Sequence, residues 1–500
     1  MPNGFPLGLQ NMKQLLSTIL LGASLSASAQ NLHLSGEPFI HDPSTIAVCD
    51  GKYYTFGTGE GGIWSADGWT WKRGAVRPGR GAAPDVLKIG DRYLVAYSTT
   101  GGGLGGTHRG TVVTMWNKTL DPNSPDFKFT EPIVVAESAD DEDCDAIDAG
   151  LLLDPTTGRL WCSYGTYFGF IRIVELDPAT GKRKEGNVEK NIAIDCEATD
   201  LIYRNGWYYL LGTHGTCCDG VNSTYNIVVG RSRNVTGPYL DNMGRDMLHG
   251  GGKMVTFAEG RQVGAGHFGR FIEAEGVEKT SFHWEADMDR GGYSTLAIRP
   301  LLWKNDWPVA GSLFKEGNYS LISERRGYAL ELAVDFVRLQ QQRGRWFQMD
   351  TTATKKRLPE QTLADVKDTW EKAKDDEGKI WVRISDYMAR PHQKWTITAV
   401  PEKEGYLGSL YYKILIEGTD LALTADGSEV KATPYTGQCI QLWRIEQCTD
   451  GTYRIMPRRT QCGGEINTTI CLYSAGDTTP SLAPWDMNSD NSKWNFKSNN

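Results

Sequence analysis

Asp195 to Cys218 reads DCEATDLIYRNGWYYLLGTHGTCC. Glu197 opens a short apolar run, Leu201-Ile202-Tyr203, and Asn205-Gly206 follows it. Trp207 to Leu211 then returns as an aromatic-rich second run. Asn-Gly between two such runs predicts a β-hairpin, because a type I′ turn needs two residues that tolerate positive φ.

The same design recurs. Asp42 opens DPSTIAVCDGKYYTFGTG, with its turn at Asp50-Gly51. Asp85 opens a unit turning at Gly90-Asp91, and Asp148 opens one with a longer turn at Asp154 to Gly158. The successive acids stand 43, 63 and 49 residues apart. A β unit repeating at that interval predicts an all-β propeller, since a single hairpin sheet cannot bury both of its faces. The first strand of each blade lines the channel, so an acid opening each blade gathers carboxylates round one depression. Glycoside hydrolysis uses such a set, one carboxyl group to protonate the leaving oxygen and one to activate water. Capping of strand ends accounts for one such acid, but less well for four at the same place in the repeat.

IHDPS, APDV, AIDAG, EATDLIYRNGWYYL and CCDGVNSTYNIVVGRSRNVTGPY resemble glycoside hydrolase family 43, in its arabinanase and arabinofuranosidase branch. The resemblance runs from about Phe39 to Pro308. It implies a five-bladed propeller and an inverting enzyme, with Asp42 as general base, Glu197 as general acid and Asp148 orienting and tuning the pair. Base and acid are then expected roughly 6.5–9.5 Å apart. His267, in GAGHFGRF, matches a histidine of the branch's channel-centre metal site, which implies Ca²⁺ and no organic cofactor. His283 is similar to a second family position. The family's aromatic residue before APD is replaced by Gly81-Ala82-Ala83, which leaves a β-xyloside or galactan substrate open.

The net charge of −8, without a basic stripe, argues against nucleic acid as a partner. Sixteen Trp, 21 Tyr and 57 Gly fit short strands, glycine turns and aromatic walls on which sugars stack. Residues 1–29 read as an export signal, with Lys13 before the apolar Leu15 to Leu25 and small residues up to Ala29; Met12 is an alternative start. No later segment is apolar enough to anchor the chain, so a secreted or periplasmic monomer is expected. Among ten Cys, the C-terminal four (439, 448, 462 and 471) are the best candidates for pairing, and Cys217-Cys218 reads as structural.

Asp85, His108 and Phe168 complete the substrate-binding candidates. His108 follows a loop with five Gly in residues 101–106, which lacks the Lys-Ser/Thr of a phosphate cradle. Phe168 follows Tyr167 out of the third blade. The acidic run Glu137 to Asp145 reads as a solvated loop.

The propeller is expected over residues 31–310. Residues 311–500 resemble a ricin-B-type β-trefoil through Gln393-Lys394-Trp395, Gln441-Leu442-Trp443 and Ser492-Lys493-Trp494, with a helical insert in 351–378. That Gln-x-Trp is a core motif and does not by itself report a sugar pocket. A chain ended near Val309 is expected to fold alone. The expected activity is release of L-arabinofuranose from arabinan or arabinose-decorated plant-type polysaccharide. The alternatives are the other sugars named above and a non-catalytic carbohydrate-binding protein.

Overall fold

The computed structural model describes residues 34–100, 108–332, 382–475 and 479–499. The signal, the glycine loop and the helical insert therefore lie outside the described residues.

Residues 34–100 and 108–310 form five sheets, antiparallel but for the parallel pairing of Ser35–Gly36 with Thr70–Trp71, and these are the blades of a propeller. Asn205 and Gly206 both have positive φ (49° and 79°), and Arg204 pairs with Trp207 across them, so the predicted two-residue turn is present. Asp50-Gly51 turns in the same way. Each blade is apolar on both faces, and the core lies between blades as stacked layers. Tyr54, Phe56, Val86 and Val95 fill the space between blades 1 and 2. Leu94, Val112, Leu151 and Val174 fill that between blades 2 and 3. Ile171, Ile173, Leu201 and Leu210 join blades 3 and 4, and Ile227, Val229, Phe282 and Trp284 join blades 4 and 5. The ring is closed by the segment before Asp42, where Leu296 N donates to Pro38 O at 2.7 Å and Ile40 N to Ser294 O at 3.3 Å.

Every blade meets the others at Arg270, in the first strand of blade 5. Its guanidinium pairs with Asp200 of blade 4 (3.2 Å) and Asp85 of blade 2 (3.9 Å) and donates to Leu151 O of blade 3 (3.1 Å). Its backbone carbonyl accepts from Ile46 N of blade 1 (3.0 Å). Burial pushes Asp200 up to about 7, against the pull of this guanidinium.

Residues 317–332, 382–475 and 479–499 build a further barrel-like sheet, whose first strand (Gly317–Ser323) pairs with its last (Trp494–Ser498). Three turns repeat in it. Trp395, Trp443 and Trp494 each follow a short 3-10 turn, and each indole N–H donates to a leucine carbonyl: Leu330 at 2.9 Å, Leu423 at 2.9 Å and Leu472 at 3.0 Å.

The barrel is fastened to blade 5 by a buried charge cluster. The Lys279 ammonium donates to Glu446 (2.7 Å) and Ser409 Oγ (2.9 Å), and Arg454 reaches the other oxygen of Glu446 at 2.9 Å. Backbone bonds run alongside, from Leu407 N to Asp67 O (2.7 Å) and from Thr449 N to Gly276 O (2.8 Å). Ending the chain near Val309 would strip Lys279 of these partners and uncover that face. The expectation of independent folding is therefore revised: the shortened chain should aggregate or unfold. The milder Glu446→Ala leaves Lys279 buried beside two arginines. It should cost about 3–5 kcal/mol, as removal of one partner from a buried pair does, readable as a lowered urea midpoint.

Two other readings change. Cys439, Cys448, Cys462 and Cys471 are free, with Cys448 and Cys471 buried; the disulfide joins Cys217 to Cys218. The acidic run is not simply solvated, because Asp145 is fully buried and Arg172 pairs with Glu142 (2.8 Å) and Asp143 (2.6 Å).

Candidate active site

One non-glycine residue in or just before the first strand of each blade stands in the left-handed region: Asp42 (φ 51°), Ala83 (44°), Asp148 (57°), Ala198 (47°) and His267 (57°). Side-chain-bearing residues pay roughly 1–2 kcal/mol for this conformation, and such strain gathers at functional sites. In blades 2, 4 and 5 the strand register slips at this point, the mark of a bulge that re-aims a side chain.

The four acids are therefore not equivalent. Asp42 and Asp148 occupy the left-handed position itself, Glu197 precedes it and Asp85 follows by two. That offset sends Asp85 to the Arg270 hub, where its carboxylate accepts from Thr45 N (3.1 Å) and Leu151 N (2.9 Å). Asp85 is 4 % exposed and holds blades together.

Asp42 is held by donors on several sides. Thr58 Oγ1 donates to Oδ2 at 2.6 Å and His41 Nδ1 to the same oxygen at 2.9 Å. His41 Nε2 reaches Glu285 Oε2 at 3.0 Å, so both ring nitrogens face carboxylates. Burial works against a charged His41, but Asp42 and Glu285 raise it to about 11, which makes it an imidazolium at neutral pH. Burial likewise works against a charged Asp42, yet His41 beside it holds the carboxyl well below its usual range. His283 accepts from Asp42 N at Nδ1 (3.1 Å) and donates from Nε2 to Glu285 (3.1 Å). Burial lowers His283, consistent with this neutral tautomer.

Glu197 is the reverse case. Burial pushes it up to about 7, the charge of Asp42 adds to the rise, and hydrogen bonds from Tyr225 and Thr166 only partly offset it. Asp148 is raised by burial and by the charges of Glu197 and Asp42, while it accepts a bond from Ala198 N, next to Glu197. One mouth of the channel thus holds a carboxylate that stays ionised and two neighbouring carboxyl groups whose proton affinity is raised.

The remaining candidates lie around this set. His108 pairs through Nδ1 with buried Asp145. Phe168 is 41 % exposed and packs on Tyr167 with centroids 4.4 Å apart, and Glu197's charge reaches the Tyr167 phenol. A cleft of 640 Å³, lined by Phe39, His41, Thr58, Arg73 and Tyr293 among others, opens beside His41. His267 is buried in the channel, its Nδ1 lacks a hydrogen-bond partner and lies 3.6 Å from Asp42 Oδ1. A buried ring nitrogen with no short hydrogen bond, set beside a carboxylate, fits a channel-centre cation that takes one nitrogen and otherwise water oxygens.

Sequence reading missed His41, Glu285, Tyr225, Thr58 and Arg270. His41, Thr58, Tyr225 and Arg270 stood inside the quoted stretches IHDPS, DPSTIAVCDGKYYTFGTG, STYNIVVG and GAGHFGRF, but nothing in those stretches showed which partners they would meet.

Paired carboxyl groups of opposite proton affinity, sunk in the mouth of a five-bladed propeller, make this protein a glycoside hydrolase. The chain belongs to glycosyl hydrolases family 43, whose model matches residues 36–308. It is 32% identical over 303 residues to an extracellular exo-alpha-(1->5)-L-arabinofuranosidase of Cellvibrio japonicus, covering 53% of this chain and 84% of that one. It is 30% identical to an extracellular endo-alpha-(1->5)-L-arabinanase of Bacillus subtilis, covering 54% and 87%. Among solved structures it is similar to an exo-1,5-alpha-L-arabinanase from a bovine ruminal metagenomic library, at 32% identity and a TM-score of 0.50, covering 55% and 97%. No helix among the described residues is long and apolar enough to cross a membrane.

Proposed function

We propose that this protein is an exported, inverting hydrolase that releases L-arabinofuranosyl units from arabinan or from arabinose-decorated polysaccharide. The observation that carries the reading is the split in proton affinity between Asp42 and Glu197 within one buried mouth. Asp42 takes the proton of the attacking water. Its charge is kept by the His41 imidazolium and its orientation by Thr58 and by the bond from its own N–H to His283. Glu197, protonated and aimed by Tyr225, gives its proton to the departing glycosidic oxygen. Asp148 orients the Glu197 segment by accepting from Ala198 N. The activities named for the similar Cellvibrio and Bacillus enzymes support arabinan as the polymer, and their extracellular description supports export.

A calcium ion held by His267 and water would add fixed positive charge at the channel centre. Treatment with a chelator should then lower activity, and added calcium should restore it. A fully active, metal-free His267→Ala protein would oppose this assignment.

The barrel of residues 311–500 is proposed to be a ricin-B-type β-trefoil. The three equivalent tryptophan turns support it.

The test is the pH dependence of sugar release from linear 1,5-linked arabinan. Only the form with Glu197 protonated turns over, so kcat/KM should fall about tenfold per pH unit above an apparent pKa near 7. With Asp42 depressed, little loss is expected down to about pH 5. A rate that stays level to pH 9 would remove Glu197 from the acid's role. Release from xylan or galactan but not arabinan would move the activity to another sugar.

A further inference from the structure

The turn joining the second and third strands of blade 4 is held more tightly than a connection requires. Thr216 N donates to Thr224 Oγ1 at 3.0 Å, and Thr224 N donates to Thr216 Oγ1 at 3.1 Å. Ser223 Oγ donates to Thr216 O at 2.8 Å. Gly215 (φ 103°) lets the two arms touch, since a Cβ there would stand 2.5 Å from Thr224 O. This clamp presents Cys217 and Cys218, which are bonded to each other, with Cys218 exposed.

Stability does not explain the bond. A disulfide stabilises a fold mainly by closing a long loop in the unfolded chain, and adjacent residues close almost none. Location offers a better account. The two sulfurs and a ring nitrogen of His41 all lie within 4.8 Å of one another, and His41 is bonded to Asp42. The strand entering the clamp pairs Thr213 with Glu197, and Tyr225, the first residue after the clamp, donates to Glu197. The sulfurs thus stand between the elements that hold the proposed base and acid. Two free thiols beside the His41 imidazolium would be drawn toward thiolate. Joined, they cannot ionise and offer a polarisable, apolar edge.

We propose that the Cys217–Cys218 disulfide is a sugar-binding platform, on which the C–H face of a furanose ring seats beside Asp42. The identity of the sugar rests on the arabinan reading above; the platform itself rests on the clamp, the bond and its place at His41. The Tyr167–Phe168 pair supplies an aromatic surface near Glu197.

The experiment uses the full chain carrying Glu197→Gln, so that ligands survive. Binding of α-1,5-linked arabinotriose, xylotriose and galactotriose is measured by calorimetry before and after Cys217→Ser/Cys218→Ser. Affinity for the preferred trisaccharide should fall about tenfold, or about 1.4 kcal/mol, with Tm within about 2 °C. If the serine variant does not fold, reduction of the folded protein by a phosphine gives the same comparison. Unchanged affinity would overturn the platform, as would an affinity loss accompanied by a Tm drop above about 5 °C, which would report loosening of the clamp. Failure of any trisaccharide to bind the oxidised protein would overturn it too. If xylotriose is the tightest ligand, the arabinan reading fails while the platform is judged on xylotriose.

Discussion

Glu197→Gln is expected to lower turnover of linear arabinan by about 10²–10⁴-fold, the range for loss of a general acid. Under the same change an aryl arabinofuranoside with a good leaving group should lose far less. The glycosidic oxygen of a polymer leaves as a strongly basic alkoxide unless it is protonated, whereas an activated phenolate leaves unaided. Glutamine keeps a carbonyl oxygen to accept the Tyr225 hydroxyl, so the geometry round position 197 should persist and the contrast should report proton transfer alone. Equal loss on both substrates would take the acid's role from Glu197.

Asp42→Asn should cost roughly 10²–10⁴-fold on both substrates, because water must be activated whatever the leaving group. The fold should survive. Asn tolerates the left-handed conformation of position 42 nearly as well as Asp does, and it can still accept from Thr58. His41 would lose one of its two carboxylate partners and hold its proton less firmly. Activity within a few fold of the parent would place the base elsewhere, and circular dichroism of the variant checks that the comparison is fair.

Local chemistry made the hairpins and the three carboxyl groups legible. Asn205-Gly206 and Asp50-Gly51 dictate their turns through φ, and the acids stand in short motifs a few residues long. What the sequence concealed was assembled across distance. His41 reaches Glu285 across 244 residues of chain, and Arg270 gathers Asp85 and Asp200 from other blades. The offset of Asp85 by two places from the left-handed position is invisible in the repeat, because a bulge alters which side chain faces the mouth. That is why Asp85 read as a substrate ligand and is found as a buried tie. The clasp of Lys279 on Glu446 was hidden in the same way. The tryptophan turns of residues 395, 443 and 494 were the exception at long range, since a repeated core motif announces its own symmetry.

The central claim is that Asp42 and Glu197 act on opposite faces of an α-arabinofuranosyl unit with a water at the Asp42 side. Proton NMR of the sugar first released from linear 1,5-linked arabinan tests it most directly, read before mutarotation mixes the anomers. The account predicts that the new reducing end appears first as the β-anomer and equilibrates afterwards. First appearance of the α-anomer, or no release of arabinose or its oligosaccharides at all, would contradict it.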